Sequence, residues 1–179
     1  MRSGGHTSHL ECGNCGLEYD HQRLQNVCES CSGPLLVRYS QATLPTLDEV
    51  LRRTPGQFRL PERLPFSTGR TTPGLGEGGT PLLPATRIGA GVWVKDESQN
   101  PTGSFKARGM AVAIARNVEL GAEMFTLPSN GNAGGAAAAY AALHGVSVEV
   151  YVPANTPQPL GDELEAYGGD ANRGEGTHA

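Results

Sequence analysis

Strand-like and helix-like segments alternate regularly over residues 92–168, and this order leaves few possible folds for the sequence. Short apolar runs typical of strands occur at residues 92–95, 124–127 and 146–152. Each run is followed by a segment of helical composition, at about residues 105–120, 133–144 and 158–167. The order βαβαβα predicts an α/β fold in which helices pack on a parallel sheet. The second helix consists almost entirely of small residues, so we expect it to be buried.

Lys106 lies where the first of these strands passes into the first helix. Pro101 and Gly103 interrupt the chain before it, and Ser104 is placed to cap a helix that begins near Phe105. The positive end of a helix dipole disfavours an ammonium group and favours the neutral amine, which is the form that Schiff-base chemistry needs. The alternative is an ordinary lysine on a solvated surface.

The stretch around this lysine reads Lys95-Asp-Glu-Ser-Gln-Asn-Pro-Thr-Gly-Ser-Phe-Lys-Ala-Arg-Gly109. It closely resembles the lysine motif of the fold-type II pyridoxal-phosphate (PLP) enzymes and, among them, that of the threonine synthases. The resemblance implies that Lys106 carries PLP as a Schiff base and later acts as acid and base. It also implies a three-layer αβα parallel sheet, and a lyase reaction that converts O-phosphohomoserine and water to threonine and phosphate.

A second polar segment, Pro128-Ser-Asn-Gly-Asn-Ala-Gly134, follows the second strand and opens the second helix. Ligands of α/β sheets bind at such places, where backbone N–H groups converge on an anion. An ordinary strand-to-helix turn is the alternative, because Ser, Asn and Gly are common in turns. The segment resembles the Ser-x-Gly-Asn loop of the same enzymes. That implies a hydrogen bond from Asn132 to the 3′-oxygen of the cofactor, and a substrate-carboxylate loop formed by Ser129, Asn130, Gly131 and Asn132. The family more often has Ser or Thr at the position of Asn130.

The four cysteines form two Cys-x-x-Cys pairs, Cys12 with Cys15 and Cys28 with Cys31. In a reducing compartment this spacing predicts a metal site rather than disulfides. Two such knuckles facing each other supply four thiolates and leave no open position, which is typical of a structural zinc site. We therefore interpret residues 11–39 as a small zinc ribbon with short strands after each pair. Unpaired buried cysteines are the alternative. A ribbon of this kind occurs in some threonine synthase-like proteins.

The remaining segments complete the predicted organisation. Residues 1–10 are expected to be a disordered tail, and residues 40–74 a linker with a short helix at 46–53. The Gly/Pro loop at residues 75–84 resembles a segment that precedes the lysine motif in threonine synthases, and we assign it no direct chemistry. Residues 75–168 are interpreted as the PLP-binding α/β domain, and residues 169–179 as a second disordered tail.

Composition excludes several classes of partner. The net charge of −4 provides no basic face for nucleic acid, and no run of 18 apolar residues could span a membrane. The N-terminus lacks the apolar region of a signal peptide, so a cytoplasmic protein is expected. The expected partners are a small amino-acid substrate and a second copy of the chain in a homodimer.

Family members continue beyond the length of this chain, into a second α/β domain that holds the phosphate and the pyridine nitrogen of the cofactor. The α/β domain is therefore expected to be incomplete, through truncation or a shift of reading frame, and residual activity is in question. Two alternatives to a threonine synthase stay open from the sequence. One is a related PLP lyase of the serine/threonine dehydratase type. The other is a non-catalytic zinc-ribbon interaction protein.

Overall fold

Strands of three separate sheets are present in the computed structural model of the protein, which describes residues 7–40, 44–67 and 73–174. The described residues form two compact units. The first contains residues up to position 67 together with Arg116–Ala122, and the second contains residues 73–115 and those from position 123 onward.

The first unit begins with a small antiparallel sheet. Its strands are β1 (Thr7–Cys12), β2 (Glu18–Tyr19) and β3 (Leu35–Tyr39), and β1 lies in the centre. The short strands predicted after each cysteine pair are therefore present. β1 differs from the prediction, because its hydrogen bonds to both neighbours order positions that were expected to belong to the tail at 1–10. The other part of that tail, residues 1–6, lies outside the described residues.

The linker of the first unit contains the predicted short helix, α1 (Leu47–Leu51). Thr46 caps it in a capping box, in which the Thr46 side chain accepts a hydrogen bond from the Glu49 amide and the Glu49 side chain accepts one from Thr46. Residues 41–43 and 68–72, which the linker prediction also covers, lie outside the described residues.

The second unit opens with a hairpin rather than with a strand of the parallel sheet. β4 (Leu82–Pro84) and β5 (Trp93–Lys95) pair antiparallel with each other. The βαβαβα order predicts the apolar run at residues 92–95 as the first strand of the parallel sheet, and that prediction is wrong. β5 is a strand, but its partner is the Gly/Pro segment before it.

The parallel sheet consists of β6 (Met124–Pro128), β7 (Ser147–Pro153) and β8 (Asp170–Gly174), in that order. α3 (Asn132–His144) connects β6 to β7, and α4 (Gln158–Ala166) connects β7 to β8. β8 lies in the stretch that was expected to be a disordered tail. Its backbone pairs with β7 from Glu149↔Asp170 to Pro153↔Gly174, and residues 175–179 lie outside the described residues.

The hydrophobic core of the second unit forms between this sheet and its helices. α3 is buried from Gly134 to Ala141, as its composition predicted, and it contacts α4, β6 and β7. Val148, Val150, Val152 and Leu164 complete the cluster, and Met110 of α2 (Lys106–Glu119) packs against it. The α/β prediction is thus confirmed, whereas the three-layer arrangement stays a prediction. None of the helices in the described ranges has both the length and the hydrophobicity that crossing a bilayer requires.

Candidate functional site

Lys106 is the first residue of α2, close to the position that the sequence predicted. The side chain of Ser104, which is buried, accepts a hydrogen bond from the Lys106 amide at 3.3 Å and so fixes the start of the helix. The Lys106 side chain is half-buried, and Nζ lies 4.8 Å from the centroid of the Phe105 ring. Across residues 7–40, 44–67 and 73–174, no carboxylate forms an ion pair with this amine.

The chain has only two lysines, and they differ in their surroundings. Lys95, at the end of β5, donates a hydrogen bond from Nζ to the carbonyl oxygen of Thr80. Its amine therefore already supports the hairpin. Lys106 is the lysine whose amine is available to a ligand.

A polar network fastens the backbone on both sides of Lys106. Arg108 forms a bidentate pair with Glu97, with 2.6 Å between Nε and Oε2 and 2.9 Å between Nη2 and Oε1. Thr80 donates to Glu97 Oε1 at 2.6 Å. The Arg108 guanidinium and the Thr80 hydroxyl together lower the pKa of Glu97 to about 2, so this carboxylate is ionised at neutral pH.

Asn100 extends the network to the Gly/Pro loop. Its Nδ2 donates to Glu97 Oε2 at 2.8 Å, and its Oδ1 accepts from the Gly78 amide at 3.0 Å. In the same loop Glu77 is buried and accepts a hydrogen bond of 2.7 Å from the hydroxyl of Tyr140 on α3. The loop at residues 75–84 thus joins the lysine segment to α3.

Sequence reasoning missed this network. It assigned no role to Glu77, Glu97, Arg108 or Tyr140, although a glutamate among glycines in a turn was a signal for Glu77. A charge inside a turn-rich stretch was a similar signal for Glu97, because such charges need local partners.

The predicted carboxylate loop has two kinds of residue. Ser129 is buried, and its Oγ accepts a 2.9 Å hydrogen bond from the Gly134 amide and donates one of 3.2 Å to the Gly131 carbonyl oxygen. Its hydroxyl therefore shapes the turn that begins α3. Asn130 and Asn132 have exposed side chains, and Gly131 is half-buried, so these three are the members accessible to a ligand.

The lysine segment and α3 are in contact. The 3₁₀ turn Pro101–Gly103, which precedes Lys106, packs against α3. In that turn the Thr102 hydroxyl is buried without a hydrogen-bond partner among the described residues, which leaves a polar group for a ligand. An available amine, an unused hydroxyl and an exposed asparagine at a helix start fit a cofactor that carries an aldehyde and several oxygens.

The four predicted metal ligands are brought together in the first unit. The Sγ atoms of Cys12, Cys15, Cys28 and Cys31 all lie within 4.8 Å of one another, with 3.5 Å between Cys12 and Cys31 and between Cys15 and Cys28. A tetrahedral zinc site with Zn–S bonds of about 2.3 Å requires sulfurs about 3.8 Å apart. The cluster therefore has the donor set and nearly the spacing for such an ion.

The two knuckles repeat the same backbone geometry. The amide of Gly16 donates to the carbonyl of Cys12 at 3.0 Å, and the amide of Ser32 donates to that of Cys28 at 2.9 Å. Gly16 and Ser32 both have positive φ, 73° and 55°. Gly33 has little room for a side chain, because a Cβ there would lie 2.7 Å from Asn14 Nδ2 and 3.0 Å from Cys12 Sγ.

Hydrogen bonds favour the thiolate form that metals bind at Cys28 and Cys12, whereas at Cys15 and Cys31 the neighbouring thiols outweigh the backbone amides and raise the pKa. The Tyr19 hydroxyl is the largest cause that lowers the pKa of Cys28, to about 6, and backbone amides add to it. The Cys15 amide, 3.5 Å from Cys12 Sγ, lowers the pKa of Cys12. These contacts agree with a site built for a soft divalent metal.

Comparisons with known proteins identify relatives that match most of this chain. The threonine synthase of Methanosarcina acetivorans is 35% identical over 152 residues, a match that covers 82% of this chain and 37% of that protein. The threonine synthase of Methanocaldococcus jannaschii is 35% identical over 150 residues and covers 79% of this chain and 37% of its own length. The chain thus spans little more than a third of the length of these two relatives.

Solved structures show the same fold. Maize serine racemase superposes with a TM-score of 0.51 at 27% identity, covering 55% of this chain and 31% of that one. Diaminopropionate ammonia lyase from Escherichia coli, at 23% identity and a TM-score of 0.50, shares the fold over 62% of this chain and 35% of its own. The model of the pyridoxal-phosphate dependent enzyme family matches residues 74–177, which is more than half of the chain. The chain therefore belongs to the pyridoxal-phosphate dependent enzymes.

Proposed function

We propose that this protein is a threonine synthase-like PLP lyase acting on O-phosphohomoserine. The observation that carries the proposal is the Lys106 amine. It has no ion pair among the described residues, and the Glu97–Arg108 network fixes the chain on either side of it. Similarity to two archaeal threonine synthases over most of this chain supports the choice of substrate.

In this proposal each accessible group has a distinct task. Lys106 would hold the cofactor through Nζ and move protons to and from the substrate carbon. Asn132 would donate a hydrogen bond to the cofactor, and Asn130 with the backbone N–H groups of the α3 start would bind the substrate carboxylate. Bound PLP supplies an electron sink for the negative charge that develops on the substrate. Ser129 would act indirectly, because its hydroxyl already holds the turn.

The first test is covalent labelling, which does not depend on turnover. The purified chain is mixed with PLP, reduced with borohydride, and mapped by peptide mass spectrometry. We expect the label on Lys106, together with an absorbance band near the visible edge before reduction. Because Lys95 is the other lysine, Lys95→Arg is the matched control and should keep both signals, whereas Lys106→Ala should lose them. A label confined to Lys95, or equal on both lysines, would refute the assignment.

The second test separates the reactions. Loss of phosphate from O-phosphohomoserine, with threonine formed, supports the threonine synthase reaction. Production of a keto acid from serine or threonine instead supports a dehydratase-like lyase, the alternative with the same core motifs. A chain that is labelled at Lys106 but converts neither substrate would contradict both lyase reactions while leaving the cofactor site intact.

For the cysteine cluster we propose a structural zinc ion bound by Cys12, Cys15, Cys28 and Cys31. The proximity of the four sulfurs and the paired knuckles support it. Metal analysis of the purified chain should give about one zinc per chain. Cys12→Ser should lose it, and Ser30→Ala, an exposed position between the ligands of the second knuckle, should retain it.

A further inference from the structure

A tyrosine lies against one sulfur of the cysteine cluster and is not among the four metal ligands proposed above. Tyr19, at the end of β2, is half-buried, and its hydroxyl oxygen lies 3.0 Å from Cys28 Sγ. Cys28 itself is buried, with 1% of its surface exposed. A contact this short between a phenol and a sulfur is a hydrogen bond if the proton lies between them.

The neighbouring backbone determines where that proton lies. The Glu29 amide donates a hydrogen bond to the Tyr19 oxygen at 3.1 Å. A phenol has one proton and accepts at its oxygen. With an amide donor already at this oxygen, the Tyr19 proton is available to Cys28 Sγ. A thiolate can only accept, so the Tyr19 hydroxyl is the donor in the metal-bound state.

This contact makes the two knuckles unequal. Cys12 Sγ accepts from the amides of Asn14 and Cys15, at 3.4 and 3.5 Å. Cys28 Sγ has the equivalent amides of Ser30 and Cys31, and it has the Tyr19 hydroxyl in addition. Four thiolates around a divalent ion leave a net charge of about −2. An additional donor at a buried sulfur offsets part of that charge where water cannot.

We propose that Tyr19 is a positioning residue of the metal site, which holds the Cys28 thiolate on the ion through a hydrogen bond outside the first coordination shell. The proposal rests on the metal site proposed above for the four cysteines. Outer hydrogen bonds of this kind orient the ligands of metal sites and strengthen binding. Loss of the hydroxyl should leave the Cys28 thiolate less firmly oriented towards the ion, so that metal leaves the site faster.

The test compares Tyr19→Phe with Tyr39→Phe in the full chain. Tyr39 lies on β3 of the same small sheet, so its variant controls for loss of a phenol from this unit. Each protein is loaded with zinc, and transfer of the metal to a chromogenic chelator is followed in time. We expect transfer about tenfold faster from Tyr19→Phe than from wild type, and an unchanged rate from Tyr39→Phe.

Cobalt(II) gives a second readout that does not depend on the amount of folded protein. Its thiolate-to-metal charge-transfer band arises only from chains that hold the ion. Loss of the hydrogen bond makes the Cys28 sulfur richer in electrons, so the band of Tyr19→Phe should move to lower energy while that of Tyr39→Phe should not.

The outcomes separate the two proposals. A wild-type chain that binds neither zinc nor cobalt through its cysteines refutes the metal site, and the role of Tyr19 with it. A wild-type chain that binds both ions, with a Tyr19→Phe variant of the same transfer rate and the same band, keeps the metal site and overturns the role of Tyr19.

Discussion

At the scale of single residues, Glu97 connects the parts of the chain that hold Lys106 in place. Its two carboxylate oxygens contact Arg108 on α2, Thr80 in the Gly/Pro loop and Asn100 before the lysine turn. Removing the charge would break the ion pair with the Arg108 guanidinium and weaken the acceptor of the Thr80 hydroxyl. Glu97 should therefore matter for stability as well as for the position of the lysine.

The pKa of Glu97 makes this role testable. Because the folded value is lowered from 4.5 to about 2, the carboxylate stabilises the fold above pH 4.5, and that contribution is lost as the pH falls towards 2. We expect Glu97→Gln to be less stable than wild type at neutral pH, and the difference in unfolding free energy to shrink between pH 4.5 and 2. Urea titrations at several pH values measure it.

The exposed carboxylate of Glu165 on α4 supplies the control, since Glu165→Gln should lie close to wild type at every pH. A Glu97→Gln variant whose deficit stays constant down to pH 2 would show that the ion pair with Arg108 does not form in solution.

Residues whose chemistry depends on spacing were predictable, and residues whose role depends on a distant partner were not. The cysteine pairs define their own knuckles, and Lys106 follows a turn whose Pro and Gly are visible in the sequence. Glu77 meets Tyr140 across 63 positions, and Arg116 donates to the carbonyl of His21 across 95. No local pattern specifies such pairs.

Among the secondary-structure elements, the helix α3 packs so closely on its neighbours that a side chain on one of its glycines would meet the core. A Cβ on Gly134 would lie 3.0 Å from Leu164 Cδ1 and 3.1 Å from Val150 Cγ1, both in the core. Gly109 in α2 is the opposite case, since a Cβ there would meet nothing within 4 Å. Two glycines in helices should therefore respond to alanine with opposite signs.

We expect Gly109→Ala to stabilise the protein by up to about 1 kcal/mol, because alanine is the better helix former. Gly134→Ala should destabilise it by about 1 kcal/mol, because overpacking of a buried contact outweighs the same gain. Urea denaturation of both variants measures the two values. Equal stabilisation by both would mean that α3 can move away from Leu164 and Val150 without cost.

Strands were harder to place than helices for a physical reason. The run at residues 92–95 is predicted correctly as a strand. The sequence of one strand does not determine which other strand it pairs with, and β5 pairs with β4. β8 was missed because Asp-Ala-Asn-Arg-Gly has no apolar alternation. Its backbone hydrogen bonds to β7 order it, and those bonds do not depend on the side-chain pattern.

Across the whole molecule, the two units differ in the interactions that can stabilise the fold of each. The hydrophobic core cluster lies in the second unit, among α3, β7 and α4. In the first unit, the buried hydrophobic side chains among the described residues are those of Cys12 and Cys28, both at the proposed metal site. A unit with so little apolar burial needs another source of folding free energy, and metal binding is such a source.

Removal of the metal should therefore affect the units unequally. After treatment with a strong chelator, we expect amides of the ribbon, such as those of Cys12, Gly13 and Cys28, to lose protection against hydrogen exchange by at least tenfold. Amides that join β6, β7 and β8 should keep theirs, because that sheet packs on its own core. Mass-spectrometric exchange with peptide resolution, before and after chelation and again after zinc is restored, measures both sets in one sample. Equal loss in both units would show that the α/β core depends on the ribbon. Equal retention would show that the ribbon folds without an ion, and that the proximity of the four sulfurs has a cause other than metal binding.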